Sequence, residues 1–115
     1  MAGLDLYKQL IDALVATSPA AYASWVRSGK YPNVPGNEDI NALLAGLTDE
    51  QREVVARMMQ QAKVGGIHDA IVVVLDDGGY QVSKTGIELP YQPFGTESHF
   101  DFIARLAGQE WPEPD

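Results

Sequence analysis

The chain of 115 residues contains no cysteine. That absence removes disulfides, thiolate nucleophiles, cysteine-type zinc sites and iron–sulfur clusters together, and nothing in the sequence requires an oxidising compartment. Basic residues are also few: eight lysines and arginines stand against sixteen aspartates and glutamates, for a net charge of −8. The imbalance is concentrated, since residues 1–64 hold six basic and seven acidic side chains while residues 65–115 hold two and nine. Such a surface repels phosphate backbones and anionic lipid, which disfavours nucleic-acid and membrane binding. A basic protein partner is what the charge permits. Long apolar runs are missing as well. The opening MAGLDLYKQLIDALVA has no basic leader and carries Asp5 and Asp12 within its apolar pattern, unlike a signal peptide or a membrane span. A cytoplasmic location is the default expectation.

Several catalytic signatures are lacking too. No serine sits in a GxSxG turn, and neither histidine belongs to an HxH or HExxH spacing. The glycines at 65, 66, 78 and 79 are not followed by the Gly-Lys-Ser/Thr ending of a phosphate loop. The DDGG segment at 76–79 is followed by none of the alternating oxygen ligands of an EF-hand and reads as a turn.

What is present is helical periodicity. At this length one domain is expected, burying roughly 65% of its unfolded surface without staples. Leu4, Tyr7, Leu10, Ile11, Leu14 and Val15 recur at helical spacing, with Asp5, Lys8, Gln9 and Asp12 on the other side. Ser18 and Pro19 read as the cap and first turn of a second helix, whose Tyr22, Trp25 and Val26 run to Gly29. The KYPNVPGN segment breaks regular structure. Asn37 is placed to cap a short helix carrying Ile40, Leu43, Leu44 and Leu47. Thr48 and Gln51 form a capping box ahead of Val54, Val55, Met58, Met59 and Ala62, with Glu53 and Arg57 able to pair across one turn. After Gly65 and Gly66, Ile67, Ile71, Val74 and Leu75 match a helix, although the run from Ile71 to Leu75 also suits a buried strand; the helix is the preferred reading. In YQVSKTGIELP, Tyr80 and Val82 alternate, Gly86 supplies a turn position, and Ile87 and Leu89 alternate back, which predicts a hairpin. The expected fold is mainly α, a single domain over 1–115 with one small β-hairpin.

The segment PFGTESHFDF at 93–102 poses the main functional question. As a strand it would line up Glu97, His99 and Asp101 on one edge. As a helix it sets residues two apart about 200° apart around the axis, so His99 could not converge with Glu97 and Asp101. The downstream stripe of Phe100, Ile103, Leu106 and Ala107 favours the helix, with Thr96 as cap, Glu97 in the first turn and Arg105 placed to neutralise Asp101. His68 and Asp69 are the nearest outside contributors. Two histidines with carboxylates suffice chemically for a divalent metal, so His68, Asp69, Glu97, His99 and Asp101 are the candidate ligands. Among the aromatic residues, Tyr31, Tyr91, Phe94 and Trp111 are the candidates for a partner-binding patch near YPNVP and YQPFG, and Trp111 for pinning the tail.

The stretches GGIHDAIV, GIELPYQPFGTESHFDFIARLAG and EWP together resemble a family of small bacterial proteins grouped as a domain of unknown function. The likeness covers chiefly residues 65–112 and is densest at Pro93, Phe94, Gly95, Thr96 and Glu97, followed by Phe100, Asp101, Arg105, Gly108, Trp111 and Pro112. It implies a bacterial source and a shared fold, and no activity, cofactor or catalytic residue. The leading expectation is a small acidic accessory protein, leaning away from an enzyme and needing no cofactor, that meets a basic partner or a second copy of itself. The alternative is a divalent-metal-binding protein or metal-dependent enzyme built on the five ligand candidates.

Overall fold

The computed structural model describes residues 1–113. Five α-helices follow one another as α1 (Ala2–Thr17), α2 (Ala21–Ser28), α3 (Glu38–Ala45), α4 (Asp49–Ile71) and α5 (Ser98–Leu106). A π-helix, Val72–Asp77, continues α4, and a two-stranded antiparallel hairpin, β1 (Ser83–Lys84) and β2 (Ile87–Glu88), precedes α5. The fold is thus mainly α with one small hairpin, as the periodicities predict. Among the described residues, no helix is long and apolar enough to cross a membrane.

The chain divides into two compact units, one made of Pro19–Val64 and the other of Met1–Ser18 with the segment from Gly65 onward. The first unit is held by Ala23, Val26, Leu44 and Ala56, with Ile40, Leu47, Val55 and Met59 packed around them. Tyr22, Trp25 and Tyr31 form an aromatic triad with ring centroids 4.9 to 5.9 Å apart. The Asn41 carboxamide fixes Tyr31 by accepting from its amide at 2.7 Å and donating to its carbonyl at 3.3 Å. The capping box opens α4 as expected: the Thr48 amide donates to Gln51 Oε1 at 2.9 Å and the Gln51 amide to Thr48 Oγ1 at 3.1 Å. Gly29 closes α2 in the left-handed region at φ 82, and a side chain there would start 2.7 Å from the guanidinium carbon of Arg52. Arg52 in turn donates to the Leu44 carbonyl at the end of α3 from both Nε and Nη2.

Three local expectations are corrected in these elements. Ser18 closes α1 instead of opening α2, because its hydroxyl donates to the Val15 carbonyl at 2.7 Å; α2 begins after Ala20, whose amide donates to Gln60 Oε1. Asn37 stands at the cap position of α3 but spends its carboxamide on the Pro32 carbonyl. Glu53 pairs with Arg27 at 2.8 Å and not with Arg57, since a neighbouring helix offers a better-aimed guanidinium than the next turn. Both partners are about half exposed, so that pair adds little stability.

In the second unit, α1 and α5 pack through Tyr7, Ile11 and Phe102, all buried, with Ile71 at the end of α4. Helix α4 runs unbroken through Gly65 and Gly66. The hairpin pairs Ser83 with Glu88 and Lys84 with Ile87, and its turn residues Thr85 and Gly86 both have positive φ, as a two-residue turn of matching twist requires. Leu89 extends the pairing by donating to the Val82 carbonyl.

Helix α5 presents the opposite face to the one its apolar stripe predicts. Ser98, Asp101 and Phe102 are buried, whereas Phe100, Ile103 and Leu106 are 56%, 42% and 36% exposed. Polar partners on α1 decide the rotation. Asp101 accepts from the Tyr7 hydroxyl at 2.5 Å and from Thr96 Oγ1 at 2.6 Å. Arg105, expected to neutralise Asp101, instead grips the Asp12 carboxylate of α1 at 2.8 and 3.2 Å. That bond holds the Asp12 carboxyl below the usual carboxylate range. Trp111 completes the arrangement: it donates to Asp12, stacks on Phe94 at 5.5 Å and receives the Arg105 guanidinium 4.9 Å from its ring.

Burial, and then the bond to the Asp101 carboxylate, push the Tyr7 hydroxyl well above the usual tyrosine range. The sign of the resulting pH effect follows by linkage. Above about pH 10 the unfolded chain releases this proton while the folded protein keeps it, so stability is unaffected below that pH and falls above it. The expected slope is up to about 1.4 kcal/mol per pH unit, and Tyr7→Phe should abolish that component. Urea unfolding of both proteins between pH 8 and 12 measures it, and equal alkaline slopes would contradict the assignment.

Candidate metal centre

The π-helix is the local feature that builds the site. Val72, Val73 and Val74 are β-branched and crowd a tight helical turn, and the wider i→i+5 winding relieves that crowding. It also changes which residue faces inward. In an α-helix Asp76 would lie about 140° around the axis from Ile71. The wider i→i+5 winding narrows that angle and brings Asp76 round toward the side of Ile71, and these two are the buried residues of the segment. Gly78 ends the π-helix at a close approach, since a side chain there would start 2.0 Å from the Val73 carbonyl oxygen and 2.6 Å from the Tyr80 ring.

The DDGG segment is therefore more than the turn its sequence predicts. The Asp76 carboxylate, 6% exposed, accepts from the Ser98 amide at 2.7 Å and from the His99 amide at 3.1 Å. Both amides belong to the first turn of α5 and have no partner within their own helix. A carboxylate from a different segment thus performs the capping that Thr96 was expected to perform, while Thr96 turns to Asp101. Gln92 Nε2 approaches the same carboxylate at 3.4 Å, and the Tyr91 hydroxyl donates to the Asp76 carbonyl at 3.2 Å.

Glu97 occupies the cap position in an extended conformation, φ −64 and ψ 146. This conformation overturns the expectation that a helix would keep His99 away from Glu97. The 200° separation holds only for residues inside the helix, and Glu97 lies just outside it. Its carboxylate reaches His99 Nε2 at 2.7 Å. Asp76, Glu97 and His99 each offer one ligand atom, and these three atoms lie within 4.8 Å of one another. The His68 ring rests on the His99 ring with centroids 4.6 Å apart, and its Nδ1 lies 3.3 Å from the Asp69 carboxylate.

Of the five ligand candidates from the sequence, the fold gathers His68, Glu97 and His99. Asp69 touches the group only through His68, and its own side chain is 84% exposed. Asp101 faces α1 and is engaged by two hydroxyls. The missed member is Asp76, and no local pattern marks it, because its role depends on a non-α winding and on a helix 22 residues further along. Of the partner-patch candidates, Tyr31 belongs to the unit 19–64, whereas Tyr91, Phe94 and Trp111 belong to the other. Phe94 and Trp111 stack, and Tyr91 is 68% exposed.

Residues 1–113 match the Family of unknown function (DUF6547). The chain belongs to that family. The match takes in the N-terminal helices as well as the segment around Asp76, Glu97 and His99, so the candidate ligands lie within the family's span. Neither the curated proteins nor the solved structures yielded a match.

Proposed function

We propose that this DUF6547 protein binds a divalent transition-metal ion through Asp76, Glu97 and His99. The reading is carried by one observation: three ligand atoms from two separate segments lie within 4.8 Å of one another, one of them on a buried carboxylate. Two supports accompany it. Asp76 is held rigidly by backbone amides, the outer-shell arrangement that orients a metal-binding carboxylate. Imidazole with carboxylates suits zinc, manganese, iron, cobalt or nickel, whereas calcium and magnesium ask for six or more oxygens. Metal–nitrogen and metal–oxygen bonds of about 2.0–2.2 Å mean that the ligand atoms draw in by about an ångström and that the His99–Glu97 hydrogen bond opens as the ion enters.

Chelator-treated protein should unfold at a higher temperature when zinc, manganese or nickel is added. At a hundredfold excess over Kd the stabilisation is about 2.7 kcal/mol, on the order of 10 °C for a chain of this size. His99→Ala should remove the rise. No shift with any of these ions, or an equal shift in the variant, would remove the basis for a metal function.

A second reading, that of an accessory protein which docks on a partner, draws on the outward stripe of α5. Phe100, Ile103 and Leu106 are apolar and exposed on a helix whose other face is fully engaged. Phe100→Asp with Ile103→Asp should leave stability within about 0.5 kcal/mol, as surface changes do. Were this reading right, the same pair of substitutions would abolish self-association measured by sedimentation.

A further inference from the structure

Building on the metal-binding reading, we infer that His68 is a fourth ligand and that the ion is a closed structural clip. The His68 ring already lies against His99, with centroids 4.6 Å apart, at the last turn of α4. Its side chain is 35% exposed, so the ring is partly open to solvent. Among the described residues its polar partner is Asp69, whose carboxylate is 84% exposed and whose pairing is correspondingly weak. A side-chain rotation that gives up this contact brings an imidazole nitrogen toward the group formed by Asp76, Glu97 and His99.

The resulting set has two nitrogens and two oxygens drawn from three segments: α4, the π-helix and the start of α5. Four protein ligands make the tetrahedral, closed sphere of a structural site, whereas catalytic sites keep a position open for water or substrate. The surroundings agree with a closed site. The cleft of about 770 Å³ between the start of α1, the hairpin and the 90s loop is lined by Ser98 and Tyr91 but by none of the four ligands. The apolar cleft of about 290 Å³ beside Leu14, Ile67 and Val74 likewise includes none of them. Neither of these two clefts opens onto the ligand set. What the ion would do is fasten the end of the long α4–π segment to the first turn of α5, closing the connection that carries the hairpin.

Cobalt titration of the chelator-treated full chain tests this, with the wild type compared with His68→Ala and with the more conservative His68→Gln. The expected result is the intense visible absorption of four-coordinate cobalt in the wild type. In both variants that band should be lost and affinity should fall at least about 10- to 100-fold, the loss that even an outer-shell partner's removal causes. Cobalt bound with the weak spectrum of six-coordination, and with equal affinity in the variants, would overturn the closed clip while leaving the three-residue metal site standing. Failure of the wild type to take up cobalt or zinc by calorimetry would refute the metal reading and the clip together. Circular dichroism of the metal-free variants, expected to match the wild type, separates a lost ligand from a lost fold.

Discussion

Asp101→Ala is expected to destabilise the protein by about 3 kcal/mol without altering metal affinity. The carboxylate accepts from the hydroxyl of Tyr7, a residue 1% exposed, and from the hydroxyl of half-buried Thr96. Removing it leaves two donors without an acceptor, at roughly 1–3 kcal/mol for each buried unsatisfied group, and opens a small cavity between α1 and α5. The melting temperature should drop by roughly 10 °C. Asp101→Asn keeps one oxygen and should lose less, whereas Tyr7→Phe combined with Asp101→Ala should cost less than the sum of the single changes, because each single change strands the other partner. Urea unfolding gives the numbers. A loss under about 0.5 kcal/mol for Asp101→Ala would mean that water replaces the carboxylate and that the network does not join the two helices.

Asp76→Ala should have the opposite profile, with a large effect on metal binding and a moderate one on stability. The substitution frees the Ser98 and His99 amides at the start of α5 and removes a negative charge from the positive end of that helix. Loss of a capping side chain costs about 0.5–2 kcal/mol. Amide hydrogen exchange at Ser98 and His99 should accelerate while exchange in the unit 19–64 is unchanged. Metal affinity should fall by more than about 100-fold, since the variant loses a ligand and the rigid placement of His99 together. Asp76→Asn retains an oxygen for the Ser98 amide, so it should recover much of the stability and little of the affinity. Wild-type affinity in Asp76→Ala would show that the buried carboxylate serves only as a cap.

These two aspartates also show where local reading stops. Asp101 follows a histidine at a spacing that looks like ligand chemistry, yet in a helix it points away from His99, and Tyr7 from another helix claims it. Asp76 sits in a sequence that looks like a turn, yet the π-winding carries it to the buried side that Ile71 occupies and into the candidate site. Helical periodicity is a rule about 100° steps, so it fails where the winding changes, at the π-helix, and where the helix has not begun, at Glu97. The face of α5 is the third instance. Apolar spacing alone would turn Phe100 and Ile103 inward, but Asp101 and Arg105 have charged or hydroxyl partners on α1 that a solvent-facing orientation would forfeit.

The helical character, the capping box at Thr48 and Gln51, the hairpin turn at Gly86 and the absence of cysteine chemistry follow from residue types and short spacings alone. Each depends on groups a few residues apart. The pairing of α1 with α5, the choice of Asp12 over Asp101 by Arg105, and the meeting of His68 and Asp76 with His99 depend on contacts between residues up to 94 positions apart. Such contacts are selected by the competition of every buried polar group for a partner, and only the assembled tertiary structure decides that competition.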